Sequence, residues 1–308
     1  MAGFLKSIKP FLSFFKPLFM VLFINQYCFA QGVSSNESNI GITKEMFSDV
    51  NIRDAKASIE LWIKMIQESF TTIKKSNAFV YEDINDLTTD LNNAKIDYVF
   101  INTPQYLNFK SVLNLKPYYG TLPNKEKFFD LFLLIKNDKN IKSFSELKNT
   151  KITIHGGRYK MLIDLWLDYL CLQNGAGAKE KFFKKIEYVD NASKTILSTF
   201  FDKSDLCIVT SSTFDVMSEM NPQVKKGLSV LYKREKLIND LFCFRNNIPD
   251  WLKKSAFGFG KEIDSKAKTS HIYKILKIDG SYLLQDEDLA ATINLWESYK
   301  KLKTIRKK

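Results

Sequence analysis

The 308-residue sequence has few of the residues from which most enzymes and metal sites are built. It holds two histidines, His155 and His271, and four cysteines, Cys28, Cys171, Cys207 and Cys243. No two of the cysteines have CxxC spacing, which excludes the usual zinc knuckle and dithiol redox pair. Cys171 (YLCLQ), Cys207 (DLCIV) and Cys243 (LFCFR) lie in apolar runs, where a thiol packs as a small hydrophobe. The sequence also has no GxSxG elbow, no HExxH, no phosphate-binding P-loop and no GxGxxG, so the signatures of serine hydrolases, zinc proteases and nucleotide enzymes are missing. There is no internal repeat, low-complexity tract or Pro/Gly/Ser-rich linker, which argues against a chain of loosely tethered modules.

Basic charge is in excess. Lysine and arginine number 46 against 34 acids, a net charge of +12. Lys6, Lys9 and Lys16 stand in an N-terminal segment without an acid, so 12 − 3 leaves +9 for residues 31–308. These lysines are spread along the chain, and the aromatic residues fall at core spacing and not beside basic clusters. The surplus therefore reads as a solvated surface and not as a nucleic-acid groove. The first 30 residues have the order of an export signal: a lysine-bearing start, the apolar stretch PLFMVLFI at 17–24, and Cys28-Phe29-Ala30 before Gln31. That apolar stretch is well short of the roughly 20 residues that span a bilayer. Cleavage after Ala30 and release to the periplasm are expected. The bulky Tyr27 opposes a lipid on Cys28, and an uncleaved anchor is the other alternative.

After residue 31, strands alternate with helices. Strands are predicted at Asn39–Thr43, Ala78–Tyr81, Ile96–Asn102, Phe128–Lys136, Lys151–Ile154, Ile186–Val189, Leu206–Val209, Ser229–Tyr232 and Leu241–Arg245. Helices are predicted where apolar residues recur every three or four positions, as in Ile52, Ala55, Ile59 and Ile63, or in Leu162, Leu165, Trp166 and Tyr169. Ser143 with Glu146 has the spacing of a capping box. Alternation of this kind makes parallel sheets covered on both faces. The expected fold is α/β with two lobes: a first lobe of residues 31–136 and 229–308, a second of residues 137–228, and two strand crossovers between them.

Several segments then align with a known pattern: NIGIT, DVNIRDAKASIELW, DLNNAKIDYVFINTPQYL, KNTKITIHGGRYKMLIDLWLDYLCLQNG and SKTILSTFFDKSDLCIVTSSTFDVMSEMNPQV. Together they resemble the periplasmic substrate-binding proteins of phosphate, phosphite and phosphonate ABC transporters, over most of residues 39–290. The resemblance implies the type II periplasmic binding fold, with a ligand held between the lobes. In the family, phosphonate binders carry a run of Ser and Thr hydroxyls after the strand that corresponds to KITI. Here His155, Gly156, Gly157, Arg158 and Tyr159 occupy that loop. A family tyrosine before the second helix corresponds to Ile84, with Tyr81 three residues earlier.

In open α/β sheets the ligand sits at the carboxyl ends of the strands, which selects the candidate residues. In the first lobe these are Thr43, Lys44, Tyr81, Asn102, Thr103 and Gln105. In the second they are His155, Gly156, Gly157, Arg158, Asn191, Ser193, Thr210 and Ser211. Glycine N–H groups at a helix start, with Arg158 as a bidentate grip, suit a small oxyanion. The alternatives for these residues are a tight turn at the glycines and simple helix capping at Asn191 and Ser193. Tyr118-Tyr119 is read as packing and not as a ferric-iron pair. No cofactor, metal or catalytic residue is expected. The expected activity is capture of a small anion by a monomer that delivers it to an ABC transporter permease. A sensor partner is the alternative, and an enzyme on the same fold ranks below both. Membrane contact is expected only through that partner or an uncleaved signal.

Overall fold

A computed structural model describes residues 37–48, 50–69, 73–253, 274 and 276–306, and the export segment, Cys28 and His271 lie outside them. The described chain contains two sheets. The first has the order β11-β4-β10-β3-β1-β2, from β1 (Glu37–Thr43), β2 (Lys75–Tyr81), β3 (Tyr98–Asn102), β4 (Leu115–Thr121), β10 (Asp240–Arg245) and β11 (Ser281–Leu283). The second has the order β7-β6-β8-β5-β9, from β5 (Phe129–Lys136), β6 (Lys151–His155), β7 (Lys185–Val189), β8 (Leu206–Thr210) and β9 (Leu228–Leu237). β1 runs parallel to β2 and β3, and β6 runs parallel to β7 and β8. β10 and β5 lie antiparallel to the strands beside them. The chain thus crosses between sheets twice, at 122–128 and at 238–239.

Those crossings correct the expected lobe boundaries. The expected boundaries put β5 and β9 in the first lobe, but both pair in the second sheet. The long apolar run Phe129–Lys136 satisfies either sheet equally well; only its partners β8 and β9 decide where it goes. The C-terminal helix is a second correction. Ala290–Ile305 packs against the helix Lys160–Gln173 of the second lobe, buries Leu295 in that lobe's core, and ends with Arg306 Nη2 donating to the Leu172 carbonyl at 3.0 Å. The Ser143 capping box does not form either. Phe144–Leu147 is a single 3-10 turn, and the Ser143 hydroxyl donates to the Glu146 carboxylate at 2.9 Å and does not accept from a helix N–H.

Side-chain alternation along each strand supplies the two faces of each sheet. In β3, Tyr98 and Phe100 enter one first-lobe core with Ile40, Ile42 and Phe244, while Val99 and Ile101 enter the opposite one with Leu87, Leu91 and Cys243. Tyr118 stacks on Phe244 at 4.3 Å, so the tyrosine pair packs within this aromatic layer. In the second lobe Trp166, 1% exposed, anchors the core beside Ile152, Ile154, Leu131 and Leu133, and Cys207, Val209 and Phe214 fill the other face. Cys171, Cys207 and Cys243 are buried and form no disulfide, and burial pushes the Cys171 and Cys207 thiols up to about 12.

Candidate functional site

The ends of β3, β6 and β8 meet at a seam between the lobes. Among the described residues, side chains reach across it at three places. Asn102 Nδ2, at the end of β3, donates to Met161 Sδ at 3.2 Å; Asn124, in the first crossover, donates to the Ser212 hydroxyl at 3.4 Å; and Arg158 pairs with Asp240 at the head of β10. The carboxyl-end geometry expected of an open α/β sheet is therefore present in both lobes, and facing.

On the first-lobe side the polar groups are connected in series. Asn102 caps the helix Thr103–Phe109 by accepting from the Gln105 N–H at 3.0 Å, and its amide donates to Gln105 Oε1 at 2.9 Å. Gln105 in turn donates to Glu45 Oε2 at 2.8 Å. Glu45 follows β1 in the 3-10 turn Lys44–Phe47 and was not among the sequence candidates; only its place one residue after the predicted Lys44 hinted at it. Thr43 is 2% exposed and its Oγ1 has no hydrogen-bond partner among the described residues, while Lys44 is exposed. Thr103 is fully buried, and both its N–H and its hydroxyl donate to the Asn239 carbonyl, at 2.7 and 3.0 Å. It therefore fastens β3 to the second crossover. Tyr81 is engaged elsewhere: its hydroxyl donates to Asp90 at 2.6 Å beside a groove of about 550 Å³ at the outer edge of the sheet, lined also by Lys56, Glu60, Glu82 and Asp86. Burial, with Asp90 adding to it, raises the Tyr81 phenol above its ordinary value.

On the second-lobe side the glycine loop differs from the expected cradle. The Gly156 N–H donates to the Val189 carbonyl at 2.8 Å, the Gly157 carbonyl accepts from Lys160 at 2.8 Å, and the half-buried His155 ends β6 beside Val189. The following helix, Lys160–Gln173, starts at Tyr159, whose side chain caps nothing and whose ring packs on Phe129 at 4.6 Å. The Arg158 guanidinium is held by Asp240 and by the carbonyls of Leu276 and Lys277, so its charge is compensated within the chain. The sequence could not show this, because Arg158 and Asp240 are 82 residues apart. Asn191 caps the helix Ala192–Phe200 by accepting from Lys194 at 2.9 Å, and Ser193 on its first turn is exposed.

The β8 end is built differently. β8 passes without a loop into the ten-residue helix Ser211–Met220, with Thr210 as its N-cap. The Thr210 hydroxyl lies 3.2 Å from that of Ser212 and 2.9 Å from that of Thr213, and Ser211 is half-buried beside them. Residues 210–213 thus carry four consecutive hydroxyls at the positive end of a helix, with Ser212 reached by Asn124 across the seam, a donor set suited to a small oxyanion. Among the described residues no group of three His, Cys, Asp or Glu is placed to hold a metal ion, and no helix is long and apolar enough to cross a membrane.

Two α/β lobes joined by two crossovers, with strand ends meeting at a seam, define the class of two-lobed solute-binding proteins. Residues 47–289 match the family of ABC transporter, phosphonate, periplasmic substrate-binding proteins, and the chain belongs to it. Solved structures agree in fold. A binding-protein component of a phosphonate ABC transporter from Pseudomonas aeruginosa is 15% identical, with 87% of each chain covered and a TM-score of 0.55. A Xanthomonas citri protein bound to ATP is 12% identical, with 88% of this chain and 99% of that one covered and a TM-score of 0.60. PhnD1 of Prochlorococcus marinus in complex with methylphosphonate is 14% identical, with 87% and 99% covered and a TM-score of 0.52. No curated protein matches the sequence.

Proposed function

We propose that the protein, once exported, captures a small oxyanion of the phosphonate or phosphate type between its lobes and presents the closed form to an ABC transporter permease. The observation that carries the ligand class is the hydroxyl ring of Thr210, Ser211, Ser212 and Thr213 at the start of a ten-residue helix on the interlobe seam. An oxyanion there would accept from hydroxyls and helix N–H groups, and the helix dipole favours its charge. Asn102 and Gln105 would meet the ligand from the first lobe, and a ligand that touches both lobes stabilises closure through contacts absent in the open form. The site therefore lies nearer β8 than the glycine loop, although that loop has the more suggestive sequence.

Binding raises stability by linkage, about 2.7 kcal/mol at a hundredfold excess over the dissociation constant. Thermal unfolding of the exported protein with phosphate, methylphosphonate, alkyl sulfonates and neutral sugars tests the reading. Stabilisation by phosphorus oxyanions supports it; stabilisation by neutral or cationic solutes alone removes it.

A further inference from the structure

Arg158 belongs to the second lobe by position, between β6 and the helix Lys160–Gln173, yet its guanidinium is bonded to residues outside that lobe. Nη2 donates to Asp240 Oδ2, and Nη1 donates to the carbonyls of Leu276 and of Lys277, the latter at 2.7 Å. Both partners of the ion pair are closed off from water, with 7% of the Arg158 side chain and 1% of that of Asp240 exposed. The receiving carboxylate is itself fixed: Asn239 donates to Oδ1 at 2.6 Å and Thr121 to Oδ2 at 3.3 Å. Asn239 also donates to the Arg158 carbonyl at 3.1 Å. Thr121 ends the strand before the first crossover, and Asn239 lies in the second. A carboxylate and two carbonyls around a planar cation make a guanidinium receptor, and it stands where both crossovers meet.

We infer that this receptor and Arg158 form an internal latch, in which a side chain of the second lobe occupies a cation site on the first and holds the lobes together with no solute bound. The inference rests on the lobes moving relative to each other, as the family reading implies, and not on the charge of the ligand. In a two-lobed binder the solute shifts the population by bridging; a residue that already bridges raises the closed fraction before the solute arrives. The contacts of Asn102 with Met161 and of Asn124 with Ser212 are neutral and exert no comparable hold.

Distances between spin labels on Lys64→Cys and Lys225→Cys, exposed sites in the first and second lobes, test the latch. The cysteines at 171, 207 and 243 are buried with raised thiol pKa values, so the introduced thiols react first. Without solute, wild type should give one short distance, and Arg158→Ala should add a population longer by several ångströms. Millimolar methylguanidinium should restore the short distance in Arg158→Ala but not in Arg158→Ala/Asp240→Asn. Where Arg158→Ala fails to fold, Arg158→Met/Asp240→Leu, which leaves no unpaired buried charge, should show the same lengthening. Identical distances in wild type and these variants, or rescue that does not need Asp240, overturns the latch. If methylphosphonate moves the labels in wild type while the Arg158 variants do not differ, only the latch fails. If no solute and no variant moves them, the family reading of closure fails with it.

Discussion

In the second lobe β6 and β8 are neighbours that run parallel, and each leads into a helix, yet the two junctions put their polar groups to opposite use. After β6, a loop rich in apparent anion donors has used them internally: Gly156 on Val189, Arg158 on Asp240. After β8, an unremarkable TSST places four hydroxyls around a helix start at the seam. The β8 hydroxyls bond to one another and to Asn124, whereas the donors after β6 are tied to a strand end and to a carboxylate far away in sequence.

The largest effect that separates the junctions concerns stability. Arg158→Ala or Asp240→Asn leaves a buried charge without its partner and should cost about 3–5 kcal/mol in urea unfolding, and Arg158→Met/Asp240→Leu should recover most of it. A loss below about 1 kcal/mol for the single variants would mean that the β6 junction is not held by this pair. At the other junction, Thr210→Ala removes a helix cap and should cost about 1 kcal/mol by the same measurement. Ser211→Ala/Ser212→Ala, with half-buried side chains, should stay within about 0.5 kcal/mol in stability while losing most of the thermal shift given by a bound oxyanion.

Acid sharpens the contrast between the lobes. Burial pushes the Asp164 carboxyl up, but hydrogen bonds from Lys160 at 2.5 Å and Tyr188, with the charge of Lys179, outweigh it and hold the group below its usual value. Asp97 in the first lobe goes the other way: burial raises its carboxyl, and bonds from the Asn39 N–H and Arg245 only partly offset this. Asp164 therefore stabilises the fold above the ordinary carboxylate pKa, and that contribution is lost as pH falls through its lowered value. Asp97 favours folding below the ordinary value, and its contribution is lost as pH rises through the raised one. Asp164→Asn should flatten the acid limb of stability against pH, and Asp97→Asn should leave that limb steep.

Much of the fold could be read from local pattern. The strands at Asn39–Thr43, Lys151–Ile154 and Leu206–Val209 and the helix around Trp166 all appear within a few residues of their predicted bounds, because alternation and helical spacing are local signals. Sheet membership was not local. β5 and β9 carry no mark of which sheet they join, and β4 was missed because Leu115–Thr121 contains a proline and a glycine. For the site, strand-end logic selected Asn102, Gln105, Thr210 and Ser211, which lie at or just after the ends of β3 and β8. It gave Arg158 and Gly156 the wrong partners and passed over Glu45, since hydrogen bonds over 60 or 82 residues leave no trace in a single sequence.

The central claim is that the oxyanion site lies at the β8 hydroxyls and that the β6 arginine serves closure. Calorimetric titration of methylphosphonate and phosphate into wild type, Ser211→Ala/Ser212→Ala and Arg158→Met/Asp240→Leu tests it most directly. The serine variant should lose at least tenfold in affinity while the latch variant still binds. Undiminished binding by the serine variant, with binding abolished in the latch variant, would return the site to the glycine loop and contradict this account.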